Sequence, residues 1–289
     1  MIFRRKLYND LLRWKNERKG TTALLIKGAR RVGKSTLAEE FAKNEYKTYI
    51  LIDFAHISPK MSALFDDMSN LNFFFMHLQL ETGVTLYERE SVIIFDEVQL
   101  QPKARQAIKY LVKDGRYDYI ETGSLLSIKK NVQGIVIPSE ETRVTLQPMD
   151  FEEFYWAIGN TTSYGVLKQF YEQHHALNNS HRKVMRDLRL YMLVGGMPQA
   201  VDTYLSTNNL QAVDEKKREI IDLYKDDFNK IDPTGRASQL FAAIPAQLNS
   251  NAGRYQIASV LENQDAQRVA EVVADMADSM TISLAYHAN

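Results

Sequence analysis

Residues 22–36 read TALLIKGARRVGKST, and no other stretch restricts the fold of this chain as strongly. The apolar run 23–26 suits a buried strand and residues 37–41 suit a helix, so the glycines between them make a strand-to-helix loop with the spacing G-x-x-x-x-G-K-[ST]. Such a loop aims several backbone N–H groups inward at the positive end of a helix dipole, where a polyphosphate can replace water. Gly28 and Gly33 permit the curvature and close approach that a Cβ would obstruct. The expected nucleotide-binding residues are therefore Gly28, Ala29, Arg30, Arg31, Val32, Gly33, Lys34, Ser35 and Thr36. Lys34 is expected to bridge the terminal phosphates catalytically, and the Ser35 hydroxyl to ligate Mg²⁺ held on the same oxygens.

A second motif, VIIFDEVQ, supplies the acids that this chemistry needs. Residues 92–95 describe a buried central strand, and its carboxyl end delivers Asp96 and Glu97 beside the phosphate loop, where open α/β sheets bind ligands. Asp96 is expected to hold Mg²⁺ through its water shell, and Glu97 to orient or deprotonate an attacking water. The next strand ends in YIETGS, residues 119–124, which offers Thr122 or Ser124 to the γ-phosphate or the water. Ser124 is the preferred candidate, because Gly123 lets the backbone turn it inward.

The wider pattern predicts an α/β fold with a parallel sheet covered by helices on both faces. Strands are expected at 23–26, 48–54, 91–95, 117–122 and 143–146, with helices centred near residues 40, 70 and 108. After Pro148 the strand signal disappears, and 151–158, 165–178, 182–194 and 209–228 read as helices. The chain divides into a basic N-terminal helix at 1–20, a phosphate-loop core at 21–150, a helical region at 151–235 and a terminal module at 236–289.

Composition removes several alternatives. Without cysteine there are no disulfides, thiolate metal sites or thiol nucleophiles, which suits a reducing cytoplasm. No run reaches the roughly 20 apolar residues of a spanning helix, so no membrane partner is expected. Lysine and arginine balance aspartate and glutamate at 36 each, so any nucleic-acid contact must come from a local patch. The guanine-reading pattern N-K-x-D occurs at 229–232, but it follows a charged helix rather than a buried strand and reads as a helix terminus. His174 and His175 point about 100° apart on a helix and His181 lies beyond a polar turn, which disfavours a metal site.

Taken in order, GARRVGKST, VIIFDEVQ, ETGSLL, RVTLQPMDFEEFYWA and GGMPQAV resemble the predicted AAA-type ATPases of archaea and bacteria that carry a C-terminal domain of unknown function. The resemblance covers nearly the whole chain. It implies ATP as ligand, an AAA-type core, a helical lid and a winged-helix-like segment. It also implies a phosphate-sensing or trans-acting arginine before the last core strand, a position that Arg143 takes here, with Thr142 in place of the usual glycine. Family members continue beyond DSMTISLAYHAN, so the chain reads as truncated, naturally short or processed.

The terminal module tests one partner class. On residues 265–278, Val269, Val272, Val273 and Met276 form the stripe of a buried face, leaving Asp265, Arg268, Glu271, Asp275 and Asp278 outside. Four acids against one arginine oppose a duplex, so a protein-contact or structural role is expected. Arg4, Arg5, Lys6, Arg13, Lys15, Arg18 and Lys19 at the N-terminus are the better candidates for nucleic acid, against the favoured reading of a solvated helix face. The expected function is Mg-dependent ATP hydrolysis, with a nucleotide-gated switch of little turnover as the alternative; a homo-oligomer or protein client is the expected partner.

Overall fold

The computed structural model describes residues 1–123, 139–250, 254–261 and 266–285. Five strands, β1 (Ala23–Lys27), β2 (Thr48–Asp53), β3 (Ser91–Asp96), β4 (Asp118–Gly123) and β5 (Glu141–Thr145), form an all-parallel sheet in the order β2-β3-β4-β1-β5. Each of the five expected strands is present, with its ends within two residues of the expected bounds. In β1 and β3 burial on both faces explains why the apolar runs are continuous instead of alternating, whereas the edge strand β5 has no buried residue.

The two faces have separate cores. Leu24, Ile26, Val92, Ile94 and Ile120 point to one side, where α1 (Leu7–Arg18) contributes Leu11 and Trp14, and α2 (Lys34–Glu45) contributes Leu37, Ala38 and Phe41. Leu25, Ile93, Phe95 and Tyr119 point to the other. There α4 (Leu71–Thr82) places Phe74, Phe75 and Leu78, and α5 (Pro102–Asp114) places Ala104, Ile108 and Leu111. The single helix expected near residue 70 is two: a short α3 (Pro59–Ala63) capped by Ser58, and α4 capped by Asn70. Polar caps inside 58–70 split what apolar content alone reads as one segment.

Past the sheet the chain is helical: α6 (Phe151–Ala157), α7 (Ser163–Glu172), α8 (His181–Val194), α9 (Pro198–Thr207), α10 (Leu210–Ile231), α11 (Arg236–Asn249) and α12 (Ala266–Asp278). The sequence reading did not place α9. Pro198 at its first turn is a recognised start signal, and Ala200 and Val201 bury against Met149, Phe154 and Val194. On α10, Tyr224 and Phe228 join the α2-side core with Leu240, Val269 and Met276, so the last helices share the sheet's own packing. The NKID segment does end a helix, and the Asp232 carboxylate accepts the backbone N–H of Ala237 at 3.1 Å. Residues 281–285 contain no strand.

The basic N-terminal helix is shorter than expected. Residues 1–5 lie outside it as an arm, and most of the basic set is engaged internally. Arg4 stacks 4.2 Å above Trp156, Lys6 pairs with Asp150 and Glu152 at 2.6 Å, and Lys15 sits 4.0 Å over Tyr46.

Candidate functional site

The phosphate loop is built by contact geometry before charge enters. β1 runs between β4 and β5, and Leu146 N–H donates to the Lys27 carbonyl at 2.8 Å as the strand ends. A Cβ on Gly28 would stand 2.3 Å from the Leu146 oxygen, so glycine is required there by space. Arg31 and Gly33 take left-handed backbones with φ of 68° and 93°, which turn the chain into α2. Gly33 caps α2 without any side-chain acceptor, leaving the first N–H groups of the helix for a ligand.

Lys34 folds over this loop, donating to the carbonyls of Gly28 at 3.2 Å and Ala29 at 3.0 Å. Burial pulls its pKa down, and the negative charges of Glu97 and Asp96 oppose that shift. Ser35 Oγ donates to Asp96 Oδ1 at 2.7 Å. Thr122 Oγ1 donates to the same Asp96 oxygen and accepts the Glu97 N–H at 3.3 Å. Thr122 thus occupies the bridging position between the two acids; Ser124, the preferred candidate from sequence, lies outside the described residues.

Glu97 is held in a left-handed conformation, φ 55° and ψ 45°, and its carboxylate accepts a hydrogen bond from the Gln99 side chain. Gln99 has no sequence signal beyond its place two residues after the acid. Among the other loop residues, Arg30 is turned away to α10, where it pairs with Asp227 at 3.0 Å, and its carbonyl accepts from the Tyr224 hydroxyl at 2.8 Å.

These groups border a cavity of about 860 Å³. Lys34, Ser35, Thr36, Asp96 and Glu97 line one part; Phe3, Arg4, Arg5 and Tyr8 of the N-terminal segment and Pro198, Gln199 and Asp202 of α9 line another. The arm and α9 are the half of the site that sequence reasoning did not assign. Arg143 is elsewhere. It is exposed in the middle of β5, paired with Glu141 at 3.2 Å, and is not among the cavity residues.

The Ser35 hydroxyl meets the Asp96 carboxylate, whose oxygen also takes the Thr122 hydroxyl, an oxygen donor set that suits a hard cation such as Mg²⁺, which takes few protein ligands and several from phosphate and water. Among the described residues no group of three His, Cys, Asp or Glu is placed to hold a metal unaided.

Comparison with known proteins agrees with this architecture. Residues 20–155 match the model described as AAA domain, and residues 185–288 match a Domain of unknown function (DUF8612). The Walker-type ATPase of Pyrococcus abyssi shares the fold with a TM-score of 0.55, at 18% identity over 96% of this chain and 90% of that one. The RuvB Holliday junction branch migration motor of Thermotoga maritima aligns with a TM-score of 0.40, at 14% identity over 96% and 88%. No curated protein matches the sequence significantly. The chain thus carries, on a parallel P-loop-type α/β sheet, a region similar to the AAA domain followed by a region similar to a domain of unknown function.

Proposed function

We propose that this protein binds Mg-ATP in the 860 Å³ cavity and hydrolyses it to ADP and phosphate, using the cycle to drive or gate a conformational change. The observation that carries this reading is the convergence of Ser35, Thr122 and Asp96 on one oxygen, directly beside Lys34 and Glu97. The loop N–H groups and Lys34 would receive the phosphates, which would replace the carbonyls that the ammonium now contacts. Ser35 and Asp96 would hold Mg²⁺, which when bound neutralises charge on the phosphate oxygens. Glu97 would take the proton of the attacking water, and Thr122, which holds the Glu97 backbone, fixes where that carboxylate stands. The nucleoside would extend toward the arm and α9, the remaining wall of the cavity.

One observation favours the switch alternative as a state of the same machine. Glu97 is engaged by Gln99, so the base must be released before it can act. Arg143, exposed on β5, is retained as a group that would act on a neighbouring subunit's nucleotide, and α12, with Glu271, Asp275 and Asp278 exposed, as a surface for protein rather than DNA.

The test is ATP binding and steady-state hydrolysis by the purified chain with and without Mg²⁺. Mg-dependent turnover that Glu97→Gln abolishes while binding survives supports the hydrolase. Tight binding without turnover selects the switch, and absence of binding sinks both.

A further inference from the structure

Arg5 is the one basic residue of the N-terminal segment whose side chain reaches the phosphate loop by a recorded hydrogen bond, and it is 6% exposed. Its Nη1 donates to the Val32 carbonyl at 2.9 Å, its Nη2 donates to the Gln147 carbonyl at 2.5 Å, and its Nε lies 3.2 Å from Glu153 Oε1. The two acceptors and the ion-pair partner belong to three different parts of the molecule: the phosphate loop, the connector leaving β5, and α6, the first helix beyond the core.

The Val32 acceptor matters because the helix ladder starts one residue later, with Leu37 N–H on the Gly33 carbonyl. Val32 is fully buried, so without Arg5 its carbonyl would lack the partner that a buried backbone group requires. A Cβ on Gly33 would come 3.9 Å from Nη1, which places the guanidinium against the peptide that turns the loop. The Glu153 end is equally constrained. Its Oε1 also accepts Lys6 N–H at 2.7 Å, and its Oε2 accepts Asp150 N–H at 3.2 Å in the capping box of α6. A planar guanidinium can serve two carbonyls in fixed directions while its charge faces Glu153, which an ammonium cannot.

We propose that Arg5 is a positioning residue for the nucleotide: it sets the Val32–Gly33 peptide that presents loop N–H groups to phosphate, and through Glu153 it ties that conformation to α6 and the arm. The inference rests on the phosphate-loop reading above. Because coupling between two sites is reciprocal, phosphate in the loop then tightens the arm, and a docked arm tightens the nucleotide.

Arg5→Lys keeps the charge and loses the fork, while Glu153→Gln keeps the shape and loses the charge. Both are made in the full chain and compared with Lys34→Ala by calorimetric titration with Mg-ATP and by amide exchange with and without ATP. Arg5→Lys is expected to weaken ATP by about tenfold, within the usual range of linked sites, raising KM more than it lowers kcat. ATP is expected to slow exchange at residues 2–6 in the parent protein and no longer to do so in Arg5→Lys, although the loop amides stay protected. A merely structural arginine would lower thermal stability without moving affinity or this protection, and that result overturns the proposal. Where Arg5→Lys does not fold, Glu153→Gln decides: weaker ATP and lost arm protection support the coupling, and parental values refute it. Should Lys34→Ala bind ATP as well as the parent, the phosphate-loop reading itself fails. Should Lys34→Ala lose binding while the Arg5 and Glu153 variants keep it, only the positioning role falls.

Discussion

Ser35 and Asp96 stand 61 positions apart in the chain, yet the serine hydroxyl donates to the aspartate at 2.7 Å across the seam between α2 and β3. The pair is the structural basis of the expected magnesium response. Asp96→Asn should raise the Mg²⁺ concentration for half-maximal turnover by about tenfold or more, and Ser35→Ala should do so to a smaller degree, because the carboxylate carries the charge a hard cation needs. A magnesium titration of the ATPase rate checks both. An unchanged titration in Asp96→Asn would remove that residue from the metal site.

Lys34 carries a cost in the absence of ligand. A base whose folded pKa is depressed contributes stability above its ordinary value near 10.5 and loses it as the pH falls through the lower folded value, so at neutral pH the buried ammonium weighs against folding. Lys34→Met should therefore raise the thermal stability of the nucleotide-free protein, by about 1 kcal/mol, while abolishing ATP binding. Calorimetric melts with and without ATP test the two halves separately. A destabilised Lys34→Met would show that the contacts to Gly28 and Ala29 outweigh desolvation.

Glu97→Gln preserves the left-handed turn and the bulk of the side chain but removes the base. It should bind Mg-ATP like the parent and lose about 10²–10⁴-fold in turnover. Gln99→Ala releases the Glu97 carboxylate and is expected to increase basal turnover several-fold, measured by phosphate release. A decrease would mean that Gln99 aims the base instead of restraining it.

Glu121 lies in the middle of β4, fully buried, with Arg105 and Glu141 beside it. Burial first, then the Glu141 charge, push its pKa well above the usual carboxylate value, and Arg105 offsets part of this. An acid with a raised folded pKa contributes stability below its ordinary value near 4.5 that is lost as the pH rises through the folded one. Glu121→Gln should therefore gain stability relative to the parent between pH 5 and pH 8, read from melting temperatures across that range. A difference independent of pH would mean that Glu121 does not change charge on folding.

Arg143 tests assembly. Its half-exposed guanidinium pairs with the buried Glu141 carboxylate, so Arg143→Ala should lower the melting temperature while binding ATP like the parent. Reduced turnover in Arg143→Ala, partly restored by mixing with Glu97→Gln protein, is the expected sign of an arginine donated across subunits. Parental turnover would make it structural.

Strands β1 and β3 and the phosphate loop were legible because each combines a local pattern with a physical need: continuous apolar runs for strands buried on both faces, and glycine where the Leu146 carbonyl leaves no room. Asp96 and Glu97 were legible for the same reason, since they follow the wholly buried apolar run 92–95. The arm was not, because Arg5 sits among six other basic residues and nothing local separates a buried guanidinium from solvated ones. Likewise α9 follows two glycines and opens with proline, signals that read as a turn until the burial of Ala200 and Val201 is known. The polar bridge of Thr122 is a long-range event, fixed by strand order and not by the letters around it.

That strand order also sets when the site can exist during synthesis. β1 is the second element of the chain, yet Leu24 pairs with Ile120 on one side and Thr142 on the other, while its neighbours in sequence, α1 and α2, supply no strand partner. A ribosome that has released the phosphate-loop residues has therefore released a bare apolar strand, and more than a hundred further residues must emerge before both of its edges are covered. Non-local parallel pairing of this kind folds slowly. The phosphate loop is thus among the first segments made and among the last to take shape, so the nascent chain is most exposed to aggregation, and most dependent on chaperones, until β5 closes over β1.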